Sequence, residues 1–313
     1  MPKTRFIFAD ITKLTLSEDA SIALAENLRW GDEITCHRCG GVDIARLGGR
    51  PGRYRCRGCA QQFSIRTGTP MEASKLPISV WMRALWLIAI SSKGISSVRL
   101  GEMLGVQQKT AWFLARRIRE MMAWLVSEPI PGAVVELDEV CAGAPPRQKA
   151  GGGPSGAPSG RGPRRPLVLT AASRDGGVRM TTIASHSRAA ISEAVVKVVG
   201  IATVFVTDAL PAYRFLDPAR ESVKHSAKEF ARTTATGLRV HVNTAESAHA
   251  DLRRMVLGVH HWISRKHLDR YLGDLSFRRS WKDVEVLDRM RALLMAPSRL
   301  TCAGLIAKPP AII

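Results

Sequence analysis

The sequence predicts a mixed α/β fold, in which a mixed sheet flanked by helices follows a small metal-binding ribbon and a helical region. Three observations predict it. Two Cys-x-x-Cys pairs lie near the N-terminus, two helical segments joined by a glycine follow them, and strand and helix patterns alternate in the second half. The chain has 313 residues, 45% of them hydrophobic, which is enough for two or three domains with a sizeable core.

The charge indicates the class of partner. Lys and Arg number 46 against 27 Asp and Glu, a net charge of +19. A field of this sign attracts polyanions, most commonly nucleic acid or an anionic membrane. The longest apolar run, around Ala84 to Ile90, is far shorter than the roughly 20 residues of a membrane helix, and the N-terminus lacks the apolar core of a signal peptide. We therefore expect a cytoplasmic DNA-binding protein that does not engage a membrane. The alternative is a protein that is merely basic.

Four of the six cysteines form two pairs separated by sixteen residues: Cys36, Cys39, Cys56 and Cys59. Disulfides are unlikely in the cytoplasm, and this spacing is typical of a structural zinc site. The segment is short, so we expect the metal to hold it together. Reduced cysteines without a role are the alternative. Phosphate contact is favoured by the arginines that crowd this segment: Arg38, Arg46, Arg50, Arg53, Arg55, Arg57 and Arg66.

A helix-turn-helix pattern follows the ribbon. Residues Ser97–Leu104 predict a short helix that ends at Gly105, and a second helix runs from about Gln108 to Trp124. A glycine in the turn and a basic second helix are typical of a DNA-reading motif. The expected DNA contacts, which project away from the apolar face, are Lys109, Arg116 and Arg119. Plain packing of a helical hairpin is the alternative.

The second half predicts strands interrupted by one helix. A segment rich in Gly, Pro, Ser and basic residues, 142–166, predicts a flexible loop after the first strand. The predicted helix begins at Ser187 and ends at Gly200. The predicted strands are Ala133–Val140, Leu167–Ala171, Val178–Ala184 and Ala202–Asp208. This order favours a mixed sheet with helices packed against it.

Acidic residues at two strand ends indicate chemistry. Asp138 and Asp208 end two apolar strands, where a carboxylate is costly unless it binds something. Glu246, in the first turn of a helix starting near Asn243, is a candidate third ligand. Three such acids could hold one or two Mg²⁺ or Mn²⁺ ions for phosphodiester chemistry. Alternatively, the two aspartates merely end strands, and Asn243 with Glu246 forms a capping box.

These motifs together resemble bacterial insertion-sequence transposases of the DDE type that carry an N-terminal zinc ribbon. The resemblance covers nearly the whole chain. Besides the ribbon, the matching segments are Glu136–Glu139, Val206–Ala209, Val223–Ser226, Val242–Ser247, His260–Leu272 and Arg299–Thr301. The family usually shows an aromatic residue and a Gly-Gly pair after the first acid, where this chain has Val140–Ala144.

The resemblance implies an RNase H-like catalytic domain. It implies that Asp138 and Asp208 are the first two catalytic acids and Glu246 the third, with Asn243 as the alternative because some relatives use Asn. The remaining implications concern DNA. Arg253 would contact a phosphate from the same helix face as Glu246, and Lys266 would bind DNA or support the site.

The resulting hypothesis is a transposase that binds the ends of its element, cuts the strand and joins it to target DNA, as a homodimer or larger assembly. The alternatives are a DNA-binding regulator, a nuclease without a joining step and an inactive copy. The predicted parts are an N-terminal helical lead-in (1–30), a zinc ribbon (31–70), a helix-turn-helix region (71–128), a catalytic domain (129–280) and a C-terminal helical tail (281–313).

Overall fold

The computed structural model describes residues 7–49, 51–142, 165–224 and 227–296. Nearly all of the predicted basic loop lies outside the described residues, as do Arg50, the pair His225–Ser226 and the segment Arg299–Thr301. The described chain forms two compact units. Residues 7–125 and 283–296 make the ribbon-helix unit, and residues 126–282 make the sheet unit.

Helices and strands alternate along both units. In chain order, the helices are α1 (Phe8–Leu14), α2 (Glu18–Trp30), α3 (Ile78–Ile90), α4 (Ser97–Leu104), α5 (Gln108–Leu125), α6 (Arg188–Val198), α7 (Asn243–Arg254), α8 (Leu268–Ser280) and α9 (Val286–Met295). The strands are β1 (Ile44–Arg46), β2 (Arg53–Cys56), β3 (Gln62–Ser64), β4 (Ile130–Cys141), β5 (Leu167–Ser173), β6 (Val178–Ile183), β7 (Val199–Asp208), β8 (Arg220–Val223), β9 (Arg232–Thr233) and β10 (Arg239–Val240). A 3-10 turn spans Pro211–Leu216, and a π-helical turn, Met255–His260, continues α7.

The ribbon is an antiparallel sheet in the order β1-β2-β3. Its side chains alternate along β2, where Tyr54 and Cys56 are buried between exposed arginines. Trp30 of α2 packs edge-on against Tyr54, with ring centroids 5.4 Å apart. α2 therefore supplies the ribbon with an aromatic core in addition to its cysteines, and the expectation that metal holds the segment together stays a prediction.

The helix-turn-helix forms as predicted. Ser96 caps α4 through a hydrogen bond from the Arg99 amide, and Gly105 ends the helix in the left-handed conformation, with φ of +66°. Gly101 faces the start of α5 so closely that an added Cβ would lie 2.9 Å from the Val106 carbonyl oxygen. A side chain at this position would push the two helices apart.

The sheet unit contains a mixed five-stranded sheet in the order β6-β5-β4-β7-β8. β4, β5 and β6 run antiparallel, whereas β7 pairs in parallel with both β4 and β8. This arrangement confirms the predicted α/β class with a mixed sheet flanked by helices. One prediction fails locally: α6 ends at Val198, and Gly200 belongs to β7 instead of ending the helix.

Strand alternation sorts the core of the sheet unit into two layers. Val140, Val168 and Ala172 pack with α7 and α8 on one face. Leu137, Leu169 and Ala171 pack with α6 on the other. From Val135 to Val140, even-numbered residues of β4 therefore face α7 and odd-numbered residues face α6, whereas Ile130, which precedes a register shift, packs in the α6 layer. Among the described helices, none has the length and apolar content that crossing a membrane requires.

Candidate metal centres and DNA-binding elements

Three carboxylates meet at the end of β7. Oxygen atoms of Asp138, Glu139 and Asp208 lie within 4.8 Å of one another, and all three residues are partly buried. The parallel register of β4 and β7 pairs Leu137 with Thr207, so Asp138 and Asp208 are the next residues along their strands. β7 ends there, whereas β4 continues to Cys141. Parallel pairing thus brings together two acids that are 70 residues apart in the sequence.

Local hydrogen bonds orient the two aspartates. Oδ1 of Asp138 accepts the amide of Glu139 at 2.9 Å. Oδ1 of Asp208 accepts the amide of Leu210 at 3.0 Å. Each side chain is thereby held against its own backbone. Three carboxylates in such proximity repel one another unless a cation or a proton lies among them, and oxygen ligands of this kind suit Mg²⁺ or Mn²⁺.

Glu139 has a shifted pKa in this cluster. Burial is the main cause that raises the pKa of Glu139 to about 7; the Tyr213 hydrogen bond lowers this pKa, and the charges of Asp208 and Asp138 raise it. Tyr213 is fully buried and donates its hydroxyl to Oε1 of Glu139. Its own pKa is raised, first by burial and then by the charge of Glu139. Near neutral pH Glu139 is therefore poised between its protonated and ionised forms, and a divalent cation among the three carboxylates would favour the ionised form.

Glu136, two residues before Asp138, anchors α7 to the sheet. It is fully buried, and its carboxylate accepts the amides of Thr244 and Ala245 at 2.7 and 3.2 Å. Arg174 donates to the same carboxylate at 3.1 Å. The interpretation of Asn243 and Glu246 as a capping box is therefore wrong, because a glutamate of β4 satisfies the helix amides and no side chain of the helix does.

Glu246 and Asn243 are both exposed on the first turn of α7. Within the described residues, the carboxylate group at the end of β7 consists of Asp138, Glu139 and Asp208, without Glu246. The role of Glu246, or of Asn243 in its place, stays a prediction.

His249 of α7 lies directly against the acidic cluster. Its ring is 3% exposed, with Nδ1 3.5 Å from Oδ2 of Asp138 and Nε2 2.9 Å from Oγ1 of Thr170. Burial lowers the pKa of His249 to about 4, and the charge of Arg253 lowers it too. The ring is thus neutral at neutral pH.

The four paired cysteines meet in the ribbon. The Sγ atoms of Cys36 and Cys59 are 3.6 Å apart, those of Cys39 and Cys56 are 3.7 Å apart, and all four lie within 4.8 Å. Four sulfur atoms at about 2.3 Å from a tetrahedral zinc ion would be separated by about 3.8 Å. The cluster therefore fits structural zinc.

The turns around the cysteines support the same conclusion. The backbone N–H of Cys39 lowers the pKa of Cys36 to about 7. The N–H of Gln61 lowers the pKa of Cys59, but burial and the three neighbouring sulfurs outweigh it and raise this pKa to about 11. Four thiols this close cannot all ionise together without a cation. Zinc supplies that charge when it binds, and it takes cysteine as the thiolate.

Helix α2 also contacts the ribbon through hydrogen bonds. Glu26 accepts hydrogen bonds from Arg46 at 2.6 and 2.7 Å, and from the hydroxyl of Tyr54. Burial raises the pKa of Glu26, but the bonds from Arg46 and Tyr54 lower it to a net value below the ordinary one. Arg29 donates to the carbonyls of Ile65 and Thr67 at 2.7 and 2.6 Å.

The predicted DNA contacts of α5 divide into two groups. Lys109 is exposed at the start of the helix. Arg116 and Arg119 are only 1% and 5% exposed, so the prediction that they project outward is wrong. α5 packs against α3, α4 and α9, which leaves little of its surface open. Arg116 also lies over the ring of Trp112, 4.4 Å from its centroid, where cation and ring attract.

Comparison with known families decides the identity. Residues 130–280 match the family described as the ISXO2-like transposase domain. Residues 16–62 match the transposase zinc-ribbon domain. The chain belongs to the DDE-type insertion-sequence transposases. This confirms the RNase H-like fold class of the transposase, and the acidic cluster fits the divalent metal of DDE chemistry. No curated protein matches the chain.

The zinc-ribbon match starts at residue 16, so it includes α2 as well as the cysteines. That extent agrees with the packing, because the ribbon of the transposase depends on α2 for Trp30 and Glu26. The two basic residues implied by the resemblance, Arg253 of α7 and Lys266 of the turn Arg265–His267, are both exposed. Their contact with DNA stays a prediction.

Sequence reasoning missed three residues at the acidic cluster of the transposase. Glu139 was visible beside Asp138, but strand alternation alone assigns neighbours to opposite faces. Tyr213 carries no local signal, because it reaches Glu139 from 74 residues away. His249 lies next to Ala248, at the edge of the apolar face of α7, and is indistinguishable in the sequence from an ordinary core histidine.

Proposed function

We propose that this transposase binds the ends of an insertion sequence and catalyses metal-dependent DNA strand cleavage followed by strand transfer. The single observation that carries the proposal is the meeting of Asp138, Glu139 and Asp208 within 4.8 Å in a chain of net charge +19. Carboxylates that repel one another need a cation, and a strongly basic protein attracts the DNA backbone. The family match supports this proposal.

Each acid has a proposed role. Asp138 and Asp208 hold Mg²⁺ or Mn²⁺, and Glu246 completes the set from α7, with Asn243 as the alternative. Glu139 is an additional candidate ligand, since its carboxylate lies in the same cluster. When bound, two such ions supply positive charge to the attacking and leaving oxygens of a phosphodiester exchange. Tyr213 holds Glu139 in place through its hydroxyl.

The DNA-binding role rests on the ribbon-helix unit. The ribbon presents exposed arginines along β2, and α5 presents Lys109 at its start. Arg253 and Lys266 are proposed to contact the strand near the acids. Because two element ends must be held together, we expect a homodimer or a larger assembly. The proposed substrate is double-stranded DNA of the element ends and the target, and we infer from it a cytoplasmic, nucleoid-associated location.

The decisive experiment compares the wild type with Asp208→Asn on DNA taken from both flanks of the gene, where a transposase of this kind requires inverted repeats. We expect Asp208→Asn to abolish Mg²⁺-dependent strand cutting while end binding stays close to wild type. Asp288→Asn, which changes an exposed aspartate of α9 paired with Arg291, is the matched control and should cut normally. Cutting by purified Asp208→Asn would refute the site.

The products of the same assay separate the remaining hypotheses. Joined strand-transfer products indicate a transposase, whereas cleavage without joining indicates a nuclease. End binding without cleavage in the wild type would leave a DNA-binding regulator or an inactive copy. The variants Glu246→Gln and Asn243→Ala identify the third residue, because only the true ligand should lose cutting without losing end binding.

A further inference from the structure

We propose that His249 is a positioning residue for Asp138: its buried ring bridges Asp138 and Thr170 and fixes the orientation of the Asp138 carboxylate toward the divalent-metal site. This inference rests on the proposed function, because it concerns the same acidic cluster. On this proposal α7 has two roles: it carries Glu246, the predicted third acid, and it holds Asp138 in place through the buried His249.

The geometry of the sheet carries the first step. Asp138 and Thr170 are cross-strand partners in the antiparallel pair of β4 and β5. Both have even numbers, so both face α7. The side chain of His249, on α7, contacts both residues: Nδ1 faces the carboxylate of Asp138, and Nε2 faces the hydroxyl of Thr170. One side chain thus spans two strands at the position where the predicted first acid lies.

Hydrogen-bond chemistry fixes the direction of the two contacts. An ionised carboxylate only accepts, so Nδ1 must carry the proton for the Asp138 contact to be favourable. Nε2 then accepts, and the hydroxyl of Thr170 donates to it. The carboxylate selects this tautomer, because the fully buried hydroxyl of Thr170 can either donate or accept. The 3.5 Å separation of Nδ1 and Oδ2 is longer than an ordinary N–H···O hydrogen bond, and such contacts can tighten when a site is loaded.

The two oxygens of Asp138 are therefore held in different ways. Oδ1 accepts the backbone amide of Glu139, and Oδ2 faces His249. Replacing the histidine would remove one contact that orients Oδ2, and the repulsion between Asp138 and Asp208 would then favour other orientations of the carboxylate. Hydrogen-bond partners that orient ligating carboxylates typically contribute roughly 10–100-fold to metal affinity or activity.

The anchoring of α7 explains why the ring can act in this way. Glu136, on the same face of β4 and two residues before Asp138, accepts the first amides of α7. His249 lies five residues after Thr244, so its ring is fixed to the same strand at a second point. The helix cannot slide along the sheet without breaking one of the two contacts.

The test uses full-length, zinc-loaded protein and Mn²⁺ as the probe, with binding measured by titration calorimetry and folding by thermal unfolding. His249→Leu should stay folded and weaken Mn²⁺ binding by about 10–100-fold. His249→Asn places an amide N–H close to the position of Nδ1 and should restore most of the affinity. Thr170→Val, which removes only the hydroxyl, should give a smaller loss in the same direction.

Strand cutting gives a second readout. Excess Mn²⁺ should rescue cutting by His249→Leu but not by Asp138→Asn, because the former loses orientation and the latter loses a ligand. The proposal is overturned if folded His249→Leu binds Mn²⁺ as wild type does, or if His249→Asn is no better than His249→Leu. Failure of the proposed function looks different: the wild type itself would then show no Mn²⁺ binding that Asp208→Asn removes.

Discussion

Glu139→Gln should change how stability depends on pH in protein that carries zinc but no Mg²⁺ or Mn²⁺. The folded pKa of Glu139 is about 7, above the ordinary value of 4.5. The folded state therefore binds this proton more tightly than the unfolded state does, and the contribution to stability is fully present below about pH 4.5 and is lost as pH rises through about 7. Glutamine cannot ionise and should not suffer this loss.

The size of the effect follows from the same two values. Each pH unit between the unfolded and folded pKa corresponds to about 1.36 kcal/mol, so the interval from 4.5 to about 7 gives at most about 3 kcal/mol. Comparing the gap between wild type and Glu139→Gln at pH 4 and at pH 8 cancels any constant effect of the substitution. The gap should grow by up to about 3 kcal/mol in favour of the variant, roughly 100-fold in an equilibrium constant.

Hydrogen exchange of peptides covering β4 and β7 measures this gap, because their amides report the opening of the sheet unit separately from the ribbon-helix unit. Protection factors are compared at each pH, so the intrinsic pH dependence of exchange cancels. Glu193→Gln is the matched control: this exposed glutamate of α6 pairs with Lys197, whose hydrogen bond lowers its pKa. A gap that stays constant with pH, or that favours the wild type at pH 8, would refute the reasoning.

Two further predictions concern the ribbon-helix unit. Cys56→Ser should lose the bound zinc and unfold the ribbon. Cys141→Ser, which changes an exposed cysteine at the end of β4, should keep one zinc per chain. Metal analysis measures the zinc content and circular dichroism measures folding, and a Cys56→Ser protein with full zinc content would contradict the prediction. Lys109→Ala should weaken binding to the element ends and reduce the salt dependence of the affinity by about one unit of slope. Lys197→Ala on α6 is the control, and equal slopes for the two variants in binding titrations would argue against a phosphate contact by Lys109.

Some features could be predicted from the sequence because they depend on local patterns. The two Cys-x-x-Cys turns each bring two sulfurs together within four residues, so the zinc site needed only the pairing of two turns. Gly105 between two apolar-faced segments predicted the helix-turn-helix, whose first helix has the predicted bounds. Apolar runs ending in Asp138 and Asp208 predicted the strands and their acids.

Other features depended on what each segment packs against. The sequence pattern indicated surface cations at Arg116 and Arg119, but three helices surround α5 and bury them. It indicated a helix end at Gly200, but pairing with β4 draws this residue into β7. The sequence around Asn243 and Glu246 matched a capping box, but the first backbone amides of α7 donate instead to Glu136, more than 100 residues earlier in the chain.

The sequence by itself therefore determined the class of fold, the zinc ligands and the two aspartates, because periodicity, spacing and charge act within a few residues of chain. Only the tertiary structure decided what surrounds those aspartates. Tyr213 and His249 reach the cluster from distant elements, and the parallel register of β4 and β7 sets which carboxylates meet. Contacts of this kind depend on how strands and helices pack, and no local pattern encodes them.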